Sequence, residues 1–253
     1  MRVLMLGTVL VLLACGGSDE GGDATVSTSE GAADTGPRGN GSITGTVSFA
    51  GTVPANPAID MSAEQACAEK HAGGVRDPQY VVADGKLGNV FVHVKSGLPA
   101  GARYAPPTEP VVLDQDGCLY EPRVFGVMTG QQIEIRNSDP VLHNIKAVPT
   151  ENRGFNISQP SEGMKTTRTF TTPEVMVPLE CNVHGWMNAY AGVKDHPFFA
   201  TTGDDGTFRI EGLPAGTYEV EAWHEKLGTR TTTVTVTDDG TATADFSFSP
   251  TTT

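Results

Sequence analysis

Basic residues are scarce in this sequence: 17 Lys and Arg stand against 30 Asp and Glu, a formal net charge of −13. A nucleic acid is held by clustered cationic side chains, so this balance excludes a nucleic-acid partner and favours basic or neutral ones. Long hydrophobic runs are also few, and beyond the first fifteen residues none is long enough to span a bilayer as a helix. There is no C-x-x-C-H for covalent haem, no C-x-x-C redox pair, no H-E-x-x-H and no G-x-S-x-G. Their absence removes c-type haem, dithiol exchange, zincin and serine-hydrolase chemistry from consideration. Helical periodicity is nearly missing too, with one short helix expected over about Ser62 to His71.

The chain opens with a charged Arg2, the apolar stretch VLMLGTVLVLLA, and Cys15 followed by Gly16 and Gly17. That pattern reads as a signal peptide rather than a spanning helix. Leu12-Leu13-Ala14-Cys15 resembles the bacterial lipobox, which implies that Cys15 is lipidated and becomes the mature N-terminus. An ordinary signal peptide with an incidental Cys15 is the alternative, and both readings export the protein. Residues 16–41 are Gly, Ser, Thr, Asp and Glu with almost nothing to bury, and read as a flexible tether. Gly16 stands where an Asp usually retains lipoproteins at the inner membrane, which favours the outer membrane and the periplasm.

The body is expected to be all-β. Ile43, Gly45, Val47 and Phe49 alternate with Thr44, Thr46 and Ser48, and Val90, Val92 and Val94 alternate with Phe91, His93 and Lys95. The same period recurs in QQIEIRNS, TFRIE, TYEVEAW and the run Ala242, Ala244, Phe246, Phe248, with turns at Asp84-Gly85, Asp116-Gly117, Asp205-Gly206 and Asp239-Gly240. On this pattern His93 faces outward into solvent, His71 helps the helix C-terminus, and Asp204 and Asp205 form a hairpin turn rather than a calcium loop. His196 and His224 flank the C-terminal strands.

Four cysteines are present, and lipidation of Cys15 leaves the odd set Cys67, Cys118 and Cys181 in an oxidising compartment. Cys67 paired with Cys118 is favoured because Cys181 alone sits among metal-ligand residues; pairing of Cys181 with either of the others stays open. CNVHGWM places Cys181, His184 and Met187 as C-x-x-H-x-x-M, and NSDPVLHN supplies His143 and Asn144 upstream. Two imidazoles, a thiolate and a weak thioether are the ligand set of a mononuclear copper electron-transfer site. Taken singly, each residue has a plainer reading: a core Met, a satisfied His, half a disulfide. A binuclear copper site is excluded, because it needs two bridging thiolates and the loop carries one.

The region from about Cys118 to Val193 resembles a cupredoxin of the plastocyanin and amicyanin type, in YEPRVFGVMTGQQIEIRNSDPVLHN and TRTFTTPEVMVPLECNVHGWM. The resemblance implies a Greek-key sandwich with His143 and His184 as equatorial nitrogens, Cys181 as thiolate and Met187 as long axial ligand. Asn144 would tie the two ligand loops together. VPLEC departs from the family's aromatic run, and Trp186 inside the ligand loop would shield the metal or form a docking surface. TTGDDGTFRIEGLPAGTYEV, with its DGxF and LPAGxY turns, resembles the carboxypeptidase regulatory-like family of small prealbumin-type sandwiches. In that family earlier strands complete the fold, so ITGTVSFAG and NVFVHVK are candidates to join it around a nested copper region.

The expected organisation is a signal peptide over 1–15, a tether over 16–41, a copper domain over 42–195 and a regulatory-like sandwich over 196–250. The expected function is non-enzymatic: one-electron transfer by a lipid-anchored envelope protein with one copper ion, partnered by a c-type cytochrome or a dehydrogenase. The alternative is a non-redox module that stores copper or binds glycan or protein. A copper oxidase or nitrite reductase would need a second copper site, which six His cannot easily build.

Overall fold

Alternation of apolar and polar residues, broken by Gly, Asp and Pro turns, produces a molecule built almost wholly of strands in the computed structural model, which describes residues 34–250. The expected signal peptide, Cys15 and residues 16–33 of the expected tether lie outside the described residues. In chain order come β1 (Gly41–Phe49), β2 (Ala58–Ile59), helix α1 (Gln65–Lys70), β3 (Val75–Arg76), β4 (Val82–Ala83), β5 (Lys86–Leu87) and β6 (Phe91–Ser96). A middle block holds β7 (Val111–Asp116), β8 (Leu119–Glu121), β9 (Val124–Met128), β10 (Ile133–Asn137) and β11 (His143–Ala147). It continues through β12 (Phe155–Gln159), β13 (Lys165–Arg168), β14 (Glu174–Glu180) and β15 (Asn188–Lys194). The last block is β16 (Phe199–Thr201), β17 (Thr207–Leu213), β18 (Gly216–His224), β19 (Gly228–Val236), β20 (Thr241–Thr243) and β21 (Phe246–Phe248).

The middle block makes a sandwich from two sheets, ordered β13-β10-β7-β8 and β12-β11-β14-β15-β9. Its core draws Leu113, Ile133 and Ile135 from the first sheet and Val127, Ile145, Val177, Leu179, Ala189 and Val193 from the second. The strand pairs β7 with β10 and β9 with β15 are parallel, so the chain crosses between sheets rather than folding as simple hairpins. A second sandwich combines β17-β1-β5-β4, with β20 and β21 also on β1, and β16-β6-β18-β19. Ile43, Val47, Val92, Val94, Phe208, Ile210, Tyr218, Val220 and Phe248 fill its core.

This pairing does not follow a linear cut at residue 195. β1 lies antiparallel to β17, and β6 lies between β16 and β18, so strands from the N-terminal stretch complete the C-terminal sandwich and the middle block is inserted between them. A sandwich needs two sheets to hide its apolar faces, and the strands after 195 alone supply too little of the second. His93 is the clearest correction that follows. It is buried, because the outward face of β6 is covered by the inserted sandwich, and its Nε2 approaches Glu221 at 3.3 Å. The close approach is possible because Gly126 and Gly192 lie beneath Phe199 and Phe91, where a Cβ would stand 2.3–2.4 Å from ring carbons.

Three smaller expectations are also revised. The end of the expected tether is packed on the body: Gly36 N–H donates to the Arg103 carbonyl, Gly39 N–H to the Gly212 carbonyl, and β1 begins at Gly41. Helix α1 is shorter than expected, Gln65–Lys70, with no side-chain N-cap. His71 does not serve the helix end with its ring, which meets the Gly117 carbonyl at 2.7 Å.

Candidate metal centre

The loop from Cys181 to Met187 joins the antiparallel strands β14 and β15, and its ends are tied by backbone hydrogen bonds from Cys181 N–H to Met187 O (3.2 Å) and from Met187 N–H to His184 O (2.9 Å). His143 is the first residue of β11, which pairs with β14 in the same sheet. Sheet pairing therefore delivers the upstream histidine to a loop about forty residues later. His143 Nδ1 and His184 Nδ1 stand 3.0 Å apart, and Cys181 Sγ lies 4.0 Å from His184 Nδ1. The three ligand atoms fall within 4.8 Å of one another and all three residues are buried. Met187 is buried at the end of the same loop.

Each ring is oriented from behind. His143 Nε2 meets Asp139 Oδ2 at 2.8 Å, so with the proton on Nε2 the Nδ1 lone pair faces His184 and Cys181. Asp139 is buried and also accepts from the backbone N–H groups of Gly117 (2.9 Å) and Cys118 (2.8 Å) and from Lys70 Nζ (2.7 Å). Cys67 and Cys118 are joined as a disulfide, which ties α1 to the β7–β8 turn beside the site. Cys67 Sγ lies 4.0 Å from His184 Nε2. Asn144 Oδ1 accepts from Asn182 N–H at 2.7 Å, linking the β11 strand to the ligand loop. Trp186 packs on His184 with ring centroids 5.2 Å apart and donates its indole N–H to the Cys118 carbonyl at 2.9 Å.

Electrostatics favour a thiolate here. Burial works against ionisation of Cys181, but hydrogen bonding to His143, to the His184 ring and backbone and to the Asn144 backbone outweighs it, pulling the thiol down to about 5. Burial also disfavours charge on His143, and Asp139 and Cys181 reverse that effect and raise its pKa. Asp139 is held well below the usual carboxylate range: burial opposes ionisation, and His143, Lys70 and the Cys118 N–H override it.

The structure thus gathers His143, Cys181 and His184, puts Met187 on the same loop and Asn144 and Trp186 in contact with it, and leaves Cys181 as the one cysteine among the described residues outside a disulfide. His93, His196 and His224 are buried elsewhere, in or beside the second sandwich. Sequence reading missed Asp139 and Lys70. Asp139 was in view in NSDPVLHN, four residues before His143, where loop composition explained it equally well. The residues fit a copper ion: one soft sulfur and two imidazole nitrogens converge, and two nitrogens 3.0 Å apart suit a shared ion about 2 Å from each.

The family model of the carboxypeptidase regulatory-like domain matches residues 190–249. No curated protein matches the chain. Among solved structures, the chain is similar to a copper-containing nitrite reductase from Thermus scotoductus SA-01, at 23% identity and a TM-score of 0.30 over 40% of this chain and 26% of that one. It is also similar to a purple cupredoxin from Nitrosopumilus maritimus, at 18% identity and a TM-score of 0.29 over 33% of this chain and 99% of that one. A reduced mutant of amicyanin is matched at 21% identity and a TM-score of 0.30 over 34% of this chain and 82% of that one. The chain thus spans about a quarter of the reductase.

Proposed function

We propose that this protein is a lipid-anchored, mononuclear copper protein that carries single electrons in the bacterial envelope, with His143, Cys181, His184 and Met187 holding the ion. The observation that carries the reading is the convergence of His143 Nδ1, His184 Nδ1 and the depressed thiol of Cys181 in one buried pocket. Copper bound there supplies one-electron chemistry, the thiolate suiting the reduced ion and the imidazoles the oxidised one. The chain's part is to hold the ligands in one compromise geometry. Asp139 fixes the His143 tautomer, Asn144 ties the loops, and the backbone N–H of His184, 3.3 Å from Cys181 Sγ, stabilises the negative sulfur. Cys15 would attach the protein to the membrane, and a c-type cytochrome or dehydrogenase is the class of partner such a carrier serves.

The test is the visible spectrum of the protein and of its Cys181→Ser variant after addition of Cu(II). A strong thiolate-to-copper band present in the first and absent from the second is the expected outcome. A colourless protein that binds no copper would overturn the reading and leave the β-sandwich surface as the functional part.

A further inference from the structure

We infer that Trp186 is the side chain through which the metal centre exchanges electrons with the outside, an inference that rests on the copper reading above. Every proposed ligand is sealed: His143 is 0% exposed, Met187 1%, His184 3% and Cys181 4%. The imidazole rings have no free edge either. His143 turns its second nitrogen to Asp139, itself 1% exposed, and His184 turns its second nitrogen to the sulfur of Cys67, 4.0 Å away, in the Cys67–Cys118 disulfide. That cover is clamped from α1 by Lys70 on Asp139 and from the following residue by His71 on the Gly117 carbonyl.

Trp186 touches a ligand ring and also reaches the surface. Its ring lies against His184, its orientation is set by the hydrogen bond to the Cys118 carbonyl, and it is only partly buried. It opens onto a cleft of about 540 Å³ that Tyr120, Pro122, Arg123 and the nearly covered Met187 also line. A partner seated in that cleft touches an indole one ring away from the ligand His184. The step moves one electron between the centre and a one-electron partner, with no bond formed or broken and no proton transferred. Asp114 and Glu121 on the cleft wall, with the chain's formal charge of −13, favour a cationic partner surface.

The experiment has two arms. In the first, the reduced copper protein is oxidised by tris(1,10-phenanthroline)cobalt(III), a cationic one-electron acceptor with conjugated ligands, and the bimolecular rate is followed through the growing thiolate band. Trp186→Leu is expected to slow this rate by roughly one decade, and Trp186→Phe, which restores an aromatic ring, to recover most of it. A rate unchanged in Trp186→Leu, with the band intact, overturns the inference alone; failure of the wild-type protein to form the band overturns the copper reading itself. In the second arm, the copper-free protein is treated with diethyl pyrocarbonate and its peptides are mapped by mass. His71, which is partly exposed, is expected to be labelled and His184 spared, and His184 is expected to become labelled in the Cys67→Ser/Cys118→Ser variant. Labelling of His184 in the intact protein would show an open edge and overturn the inference whether or not the tryptophan variants fold.

Discussion

At the scale of single residues, the centre depends on a few buried polar atoms whose alternatives are all costly. Asp139 satisfies two backbone N–H groups, one lysine and one histidine at once. Its replacement by Ala leaves those donors unpaired in a buried place and frees the His143 tautomer, so copper affinity is expected to fall by about 10–100-fold in competition with a chelator. Asp139→Asn keeps an acceptor but removes the charge facing Lys70, and a smaller loss is expected in the same assay. The C-x-x-H-x-x-M spacing was legible because all three residues share one loop. The role of Asp139 was not, since Lys70 lies 69 residues before it and no local pattern announces that they meet.

At the scale of elements, strand ends and glycines decide how the layers meet. Glu174, at the start of β14, accepts from the backbone N–H groups of Thr150 (2.6 Å), Glu151 (3.1 Å) and Asn152 (3.2 Å), which pins the loop after β11. Burial opposes its ionisation and these hydrogen bonds override it, so its pKa lies below the ordinary value. A depressed carboxyl pKa contributes stability that is present above the unfolded-state value and is lost as pH falls through the folded-state value. Glu174→Gln is therefore expected to be less stable at neutral pH and to show a flatter acid limb when urea midpoints are measured against pH. Gly126→Ala would place a methyl 2.3 Å from the Phe199 ring, and the forced shift between β9 and β16 is expected to cost about 1–3 kcal/mol in chemical denaturation. The strands themselves were readable from period-two alternation. The second buried face of β6 was not, because alternation records one covered face and a packed neighbour had to supply the other.

For the whole molecule, the two sandwiches are locked by charge as well as by packing. Arg123, beside β9 of the first sandwich, pairs with Glu225 in the β18–β19 turn (2.5 and 3.0 Å) and with Asp77 (2.8 Å), all with little exposure. Removing the cation by Arg123→Ala strands two buried carboxylates, and about 3–5 kcal/mol of stability is expected to go with it in equilibrium unfolding. Burial holds the pKa of His196 and of His224 at about 4, against an ordinary value of 6.5. Below pH 6.5 the unfolded chain takes up protons that the folded chain refuses, so stability is expected to decline from pH 6.5 to about 4, by on the order of 3 kcal/mol for each ring. His224→Phe removes one of the two titrating rings and is expected to reduce the slope of melting temperature against pH over that window.

What the sequence determined by itself was whatever is written in neighbouring residues: an all-β body, the turns, the C-x-x-H-x-x-M spacing of Cys181, His184 and Met187, and the DGxF and LPAGxY words of the C-terminal stretch. These follow from backbone alternation, turn chemistry and ligand spacing, which act over a few residues. The family resemblance offered β1 and β6 as strands of the C-terminal sandwich; only the tertiary structure decided their pairing, that the end of the tether packs on the body, and that His93 is buried. It alone decided that α1, clipped by Cys67 and Lys70, closes over His184 and leaves Trp186 at the cleft. Each of these is a contact between distant segments, chosen by which apolar faces and buried charges can be satisfied together, and a linear pattern carries no record of that choice.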